Sequence, residues 1–495
     1  MNIKFTLISL MTTVGLSASA ISVTSTSGNL STVVGENIDA TSLEISGEIN
    51  AADLDFIAKK MTSLSTLDMS NAKIGAYSGA PILLGKTEYN ANSLPAYSLA
   101  GTSIQSIILP KTLQIIEDGA LSSTKITSIS IPESVTSIGM GAFTNCDELA
   151  TITIPSNVTS LGSYAFSGCD KLTSATLYVT YLGESTFEHC VALKSITAPS
   201  LLTIGDAAFN NCSALEEFNF ANTLRAIGNN AFQNSGLKSI DFTNTSLLES
   251  IGAWAFAQCS NLTSAIMNDK ITTIGEGAFF DNINLSTFNM PLACTVASEY
   301  VLKGNTSIDT TNMLNDNVSR IEKYALMGMN HLTTFTLPGA LNYIGDNAFE
   351  GWTSLTKLNA ENIVSEVPAL GNTVWNGIDQ SKVELVASQE LLNQYPLYDQ
   401  WCEFKISGVS SVEDIAIETS ADVRAYFVGY DLVVEAGQEI AMVSIYDSSA
   451  RQYGIETNGG NQVTINTSDW NCRLYIVKVI LADGNATTIK IARNN

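Results

Sequence analysis

A phrase that recurs every 21 to 25 residues between about Leu94 and Leu358 constrains this chain more than any other feature. Residues 138–155 read IGMGAFTNCDELATITIP, residues 161–177 LGSYAFSGCDKLTSATL, residues 204–220 IGDAAFNNCSALEEFNF and residues 344–358 IGDNAFEGWTSLTKL. A unit this short cannot close a hydrophobic core alone. It must bury its apolar face against the units before and after it, which makes the chain a repeat solenoid. The aliphatic residue that opens each unit marks twelve of them: Leu94, Ile116, Ile138, Leu161, Leu182, Ile204, Ile227, Ile251, Ile274, Val296, Ile321 and Ile344, with the unit at Val296 the most degraded. Because a stack grows without enlarging any one core, 495 residues do not force many globular domains.

Within a unit, the marker and the residue five later are expected to point inward. That sets Phe143, Phe166, Phe187, Phe209, Phe232, Phe256, Phe279 and Phe349 in register as a spine, with Leu99, Leu121 and Leu326 in the same place elsewhere. Alanine before the spine residue leaves room for a close turn, and glycine after the marker, as in Gly139, Gly162 and Gly205, is expected to supply a backbone angle that other residues resist. The second half of a unit, Leu149–Pro155 for example, alternates apolar and polar with β-branched residues and reads as a short strand. Proline at 110, 132, 155, 291 and 338 ends it, and successive strands should stack in parallel as a ribbon.

Cys146, Cys169, Cys190, Cys212 and Cys259 all stand eight residues after a marker, where other units carry Thr124, Ser235, Asn282, Met329 and Trp352. They are one repeat position rather than pairs, so a ladder of buried free thiols is expected instead of disulfides or a metal site. Cys294, Cys402 and Cys472 follow no pattern.

The outward residues of the strand ribbon form the candidate ligand face: Ser128, Ser130, Thr151, Thr153, Ser174, Thr176, Ser195, Thr197, Glu217, Asn219, Ser239, Asp241, Thr287, Asn289, Thr334 and Thr336. This is a hydroxyl ladder with few charges and no aromatic rings, which suits broad polar contact with protein better than stacking on sugars. Taken singly, each Ser or Thr is also what a solvated strand prefers.

With 48 acidic and 24 basic residues, the chain repels phosphate backbones and anionic membrane surfaces, so nucleic acid is not an expected partner. The first residues, MNIKFTLISLMTTVGLSASA, place Lys4 before an apolar run that ends in Ala18-Ser19-Ala20, the pattern of a secretory signal peptide cut after residue 20. No later run is long enough to span a membrane. His189 and His331 stand in different units, and no phosphate loop, nucleophile elbow, metal-binding spacing or dinucleotide fingerprint occurs; no enzyme activity, metal or cofactor is expected. Acidic residues two after the marker, such as Asp206, Glu276 and Asp346, are repeat positions facing solvent.

The recurring Ile-Gly-x-x-Ala-Phe, Cys filler and Leu-x-x-Ile-x-Ile-Pro resemble the BspA-like leucine-rich repeats, found in bacterial surface proteins, over roughly residues 94 to 358. The flanks agree with the resemblance: residues 43–74 resemble an N-terminal capping unit with a helix around Asp53 to Lys60, and residues 382–406 resemble a closing cap ending in Trp401 and Phe404. Past a linker, the tail alternates strands at 431–435, 440–447, 462–466, 473–481 and 487–492, enough for a small antiparallel β-sandwich. Through VSIYDSSARQ and LYIVKVILADGNATTIKIAR it resembles the C-terminal sorting domains of type IX secretion, although Ala450-Arg451 stands for the usual Gly-Arg and Asn471-Cys472-Arg473 where a glycine is usual. The expected order is therefore signal peptide 1–20, N-terminal cap 21–93, repeat array with C-terminal cap 94–406, linker 407–420 and tail 421–495. The resemblance implies a secreted or surface-attached protein on the outer membrane exterior that adheres to host matrix proteins or other bacteria. A scaffold role without its own ligand, and more remotely a polysaccharide-binding component, are the rival readings.

Overall fold

The computed structural model describes residues 19–309, 313–407, 423–428, 430–446, 452–456, 460–468, 470 and 474–492. Most of the expected signal peptide and linker, and the segments around Ala450-Arg451 and Asn471-Cys472-Arg473, lie outside the described residues. The chain divides into two compact units, Met1–Lys270 and Ile271–Asn495.

The first unit opens with a parallel sheet in the order Ala20–Ser25, Ser42–Ile49, Thr66–Ile74, Ser106–Ile108. Its capping helix, Ala51–Lys60, starts at Asn50, whose side chain accepts the Ala52 N–H while the Asp53 carboxylate reaches back to the Asn50 N–H at 2.9 Å. This is a capping box that satisfies two otherwise orphaned donors. Asp53 is buried and also accepts from Gly28 N at 2.7 Å and Leu30 N at 2.9 Å, pinning the short helix Leu30–Val34 to the cap. The helix and the flanking strands at 42–49 and 66–74 were legible in the sequence; the first strand, the Leu30–Val34 helix and the hairpin of Tyr77–Ile82 with Lys86–Tyr89 were not.

Most of the following coils carry two short strands rather than one. The expected strand is present, and the marker with the residue before it makes a second: Ser93–Leu94, Ile115–Ile116, Ser137–Ile138 and Ser160–Leu161 form one parallel sheet, and Tyr181–Leu182, Thr203–Ile204, Ala226–Ile227 and Ser250–Ile251 continue as another. The phenylalanine spine is a stack of rings. Centroids of Phe143, Phe166, Phe187, Phe209, Phe232 and Phe256 are separated in turn by 5.1, 5.4, 5.6, 5.1 and 5.2 Å, with planes within 19° of parallel. Each strand-ending proline offers its carbonyl to the residue three later, as Pro155 does to Val158 at 3.1 Å, so it also starts the turn into the next coil.

The glycine after the marker has a different role from the one expected. Its φ is not positive; instead, a Cβ on Gly162 would lie 2.5 Å from the Gly139 carbonyl carbon, and one on Gly205 2.5 Å from the Leu182 oxygen. Backbones of successive coils touch there, and no side chain fits between them. The left-handed conformation falls three and seven residues after the marker. The first row includes Tyr97, Gly119, Gly141, Tyr164, Ser185, Ala207, Asn230 and Trp254, and the second Asn145, Gly168, His189, Asn211, Asn234 and Gln258.

In the second unit the degraded coil is in register only if Ala297, not Val296, is its marker. Ala297 pairs with Ile321 and is fully buried, whereas Val296 pairs with Arg320 and is 36 % exposed. A one-residue slip in a strand exchanges the two faces, so the larger aliphatic residue misleads. A further coil follows the expected twelve: Ala369–Leu370 pairs with Tyr343–Ile344, and Trp375 takes the spine position with its ring 4.8 Å from Phe349. Buried Tyr395, Trp401 and Phe404 close this end, beside the parallel sheet of Thr334–Thr336, Lys357–Ala360, Glu384–Ala387 and Lys405–Ser407. The caps matter because a terminal coil would otherwise expose an apolar face and open strand edges.

The tail is a single six-stranded antiparallel sheet organised by one long strand, Asp431–Tyr446. Its first half pairs with Val423–Val428 and Gly460–Asn466, and its second half with Gln452–Glu456 and Leu474–Leu481, the latter carrying Ala486–Ala492 at the edge. The register shift between Glu435 and Ile440 lets the two halves wrap around Leu432, Val434, Val443, Ile445, Val463, Tyr475 and Val477. The sequence pattern split this long strand in two and missed those at 423–428 and 452–456.

Candidate ligand-binding faces

Alternation along each strand places Ile152, Ala175 and Ile196 in the core and turns Thr151, Thr153, Ser174, Thr176, Ser195 and Thr197 outward. The pairing Thr151↔Ser174↔Ser195 and Thr153↔Thr176↔Thr197 aligns them as two parallel hydroxyl rows. Thr151, Thr153, Ser195 and Thr197 are exposed, and Ser174 and Thr176 half-buried. Ser239 with Asp241, and Thr334 with Thr336, are exposed at the same positions of other strands. Asp241 is locally engaged: hydrogen bonds from the Thr243 hydroxyl and N–H hold its carboxyl below the usual range.

The ribbon is not continuous. Ser128 and Ser130 are exposed but belong to no strand, and Ser128 makes only an isolated bridge to Ser106. Glu217 and Asn219 likewise lie outside any strand. There Phe218 and Phe220 pack edge-on against the spine, with Phe218 5.2 Å from Phe209 and Phe220 5.7 Å from Phe232. Two rings occupy a space that aliphatic pairs such as Ile152 with Ile154 and Ile196 with Ala198 fill in preceding coils, and the ladder pairing is lost. Asn289 is half-buried just past the strand Thr287–Phe288.

The repeated cysteines form the expected ladder of buried free thiols. Each thiol donates to the carbonyl of the spine residue in the preceding coil: Cys146 to Leu121 and Cys169 to Phe143 at 3.2 Å, and Cys190 to Phe166, Cys212 to Phe187 and Cys259 to Phe232 at 3.1 Å. Other residues at this position do the same with different chemistry. Asn305 reaches Phe279 O at 2.8 Å, and the Trp352 indole N–H reaches Leu326 O at 2.7 Å. Burial pushes the Cys259 thiol up to about 11, and Cys169, Cys190 and Cys212 well upward, so these groups are neutral. Cys294 repeats the theme with Ile271 O at 3.2 Å.

The acids two after the marker also connect coils. Asp118, Asp206 and Asp346 each accept a backbone N–H from the next coil, at 2.7 Å from Met140, 2.7 Å from Asn229 and 2.8 Å from Asn372. His189 is exposed beside Glu188, while a ring nitrogen of His331 meets the Ile308 carbonyl at 2.8 Å. Among the described residues, no group of three or more His, Cys, Asp or Glu could hold a metal ion, and no helix is long and apolar enough to cross a membrane.

The family described as the BspA type leucine rich repeat region (6 copies) matches residues 92–203, 180–309 and 297–377, more than half of the chain. Among solved structures, a leucine-rich repeat protein from Bacteroides ovatus superposes with a TM-score of 0.57 at 24% identity, over 74% of this chain and 88% of that one. A leucine rich cell surface protein from Faecalibacterium prausnitzii matches at 23% identity over 50% of this chain and 82% of its own, with a TM-score of 0.31. A leucine-rich repeat protein from Eubacterium ventriosum gives 19%, 64%, 84% and 0.32 for the same quantities. No curated protein sequence matches this chain.

Proposed function

This chain belongs to the BspA type leucine-rich repeat proteins, and from that membership we infer that it is an exported surface protein whose strand ribbon adheres to a protein ligand on host matrix or on other bacteria. The observation that carries the reading is the pair of hydroxyl rows in register from Thr151 to Thr197. Protein recognition over extended faces draws on hydrogen bonds spread across a large area, and a rigid ribbon presents its donors and acceptors without an ordering cost. The signal-like residues 1–20 support export, and the antiparallel tail supports a role as a sorting or attachment module.

The test is binding of the purified protein to immobilised host matrix glycoproteins and to whole bacteria, compared with a variant carrying Thr151→Glu, Thr153→Glu, Ser174→Glu and Thr176→Glu. Saturable binding by the parent, lost in the variant while its unfolding midpoint is kept, is the expected result. Binding that the four carboxylates leave intact would remove the ribbon from the mechanism.

A further inference from the structure

In the three coils that carry the hydroxyl rows, the path from ribbon strand to marker strand holds no charged side chain. It runs over residues 149–162, 172–183 and 195–205, in a chain whose net charge is −24. The coil before them has Glu133 on the same path, and the coil after them has Arg225. The middle coil is also the shortest of the three at the corner between the two sheets. Pro155-Ser156-Asn157 separate buried Ile154 from buried Val158, and Pro199-Ser200 separate Ala198 from Leu201, whereas Tyr178 alone separates Leu177 from Val179. The coils are aligned there by the Ile154 N–H on the Thr176 carbonyl at 2.9 Å and the Leu177 N–H on the Thr197 carbonyl at 2.8 Å.

Alternation turns Tyr178 outward in line with Ser174 and Thr176, and it is 47% exposed. Tyr181, which opens the strand Tyr181–Leu182 of the second sheet, is 55% exposed. Among the described residues neither ring meets another ring and neither hydroxyl finds a hydrogen-bond partner. The Tyr164 hydroxyl, by contrast, donates to Glu184 at 2.7 Å. Leu202 is exposed next to them, with its N–H on the Thr180 carbonyl at 2.7 Å. Apolar residues scattered singly over a surface are ordinary, but two tyrosines and a leucine gathered where charge is absent form a patch.

We propose that Tyr178 and Tyr181, with Leu202, anchor the protein ligand of the ribbon by receiving uncharged aliphatic or proline side chains from it. This rests on the reading of the ribbon as a protein-binding face, and it names where the binding energy is concentrated. The core of a protein interface is depleted of charge and enriched in tyrosine, with polar groups around it. A few aromatic anchors carry most of the affinity, while near-neutral contacts around them exclude water. The hydroxyl rows from Thr151 to Thr197 supply that surround, and the corner supplies the anchors. A partner charge buried at this corner would keep its desolvation penalty without a counter-ion, so the matching surface is neutral. Tyrosine has only two rotatable side-chain bonds and loses little freedom when it is fixed. Because the rings stand on two different sheets round a corner, they suit a contoured protein surface more than one flat sugar ring.

The experiment measures equilibrium binding of the full chain to immobilised host matrix glycoproteins and to surface proteins extracted from whole bacteria, each before and after enzymatic removal of glycans. The pair Tyr178→Ser with Tyr181→Ser should weaken binding at least about tenfold. Tyr178→Phe, which keeps the ring, should stay within about threefold of the parent. Tyr398→Ser, at an exposed tyrosine of the C-terminal cap, should change nothing. All should keep the parent's unfolding midpoint, because these rings lie outside the core. The variant with four Glu substitutions on the ribbon is measured alongside. Binding lost in that variant but kept in the double tyrosine variant overturns the anchor and leaves the ribbon reading standing. The reverse result removes the ribbon and keeps the tyrosines as the site. Binding that disappears with the glycans assigns the corner to sugar and overturns the proposal, and a parent that binds no member of the panel overturns both readings.

Discussion

The Cys169 thiol lies 3.2 Å from the carbonyl oxygen of Phe143, whose ring is itself stacked on Phe166 in the coil that contains Cys169. One residue thus ties two coils twice, by ring contact and by its carbonyl. That carbonyl also accepts the Cys146 N–H at 3.2 Å, so both of its lone pairs are used inside the core. Replacing Cys169 by Ser should keep the donor and cost under about 1 kcal/mol, whereas Val should leave the carbonyl short of a partner and cost about 1–3 kcal/mol. Urea unfolding of the two variants should rank them in that order.

The same ladder predicts a reactivity pattern. A disulfide reagent at pH 8 should leave Cys146, Cys169, Cys190, Cys212 and Cys259 unmodified in the folded protein and modify them once it unfolds, because only the thiolate attacks and these thiols are neutral and buried. Labelling of these positions in the native state followed by mass spectrometry would contradict this arrangement.

Stability should also fall in alkali. Cys259 has a folded pKa of about 11 against an ordinary value of 9.0. Between these values the unfolded chain has lost the proton that the folded one keeps. The contribution is therefore fully present below about pH 9 and is lost as pH rises toward 11, at up to about 1.4 kcal/mol per pH unit. Cys259→Ser should flatten this slope in urea midpoints measured from pH 8 to 11.

Glycines at different repeat positions should behave differently. Alanine at Gly162 would put a methyl 2.5 Å from the backbone of the preceding coil and should cost about 3 kcal/mol or prevent folding. Alanine at Gly101 meets nothing within 4 Å, and only its φ of +69° opposes it, for about 1 kcal/mol. Equal unfolding midpoints for the two variants would refute the close-approach account.

Asp53 is the joint of the N-terminal cap. Its carboxylate takes three backbone N–H groups, from Gly28, Leu30 and Asn50, inside a buried site. Asp53→Ala leaves them without that acceptor and should destabilise the cap by about 3 kcal/mol, while Asp53→Asn, which keeps an oxygen, should cost less. Amide hydrogen exchange at Gly28 and Leu30 should accelerate in both variants, most in the first.

Features that reside in side-chain identity were legible from the sequence. Phenylalanine and cysteine recur at fixed offsets because ring stacking and a buried donor each select few residue types, so spine and thiol ladder could be placed without coordinates. Backbone conformation was less visible. The left-handed positions are filled by Tyr164, Trp254, Asn145 and His189 as well as glycine, and no single residue type announces them. The second sheet is built from two-residue strands, too short for any alternation to register. Val296 is the aliphatic residue that the repeat pattern marks, whereas pairing aligns Ala297 with the marker Ile321. On the candidate face, alternation gave the outward direction correctly at Thr151 and Thr153, but it could not anticipate that Phe218 and Phe220 interrupt pairing beside Glu217 and Asn219. The left-handed row three residues after the marker escaped notice because its period appears only once coils are superposed.

The tie between a donor eight residues into one coil and a carbonyl in the coil before it has a consequence for how such a gene can change. Cys, Asn and Trp all serve as the donor, and Leu and Phe both serve as the acceptor residue. An in-frame deletion or duplication of one whole period that sets a Cys, Asn or Trp coil behind a coil with Leu or Phe in the spine therefore leaves the new junction with a compatible donor and acceptor. Unequal recombination between repeats can lengthen or shorten the array while the core at the splice remains satisfied, and selection on reach can act without rebuilding the fold.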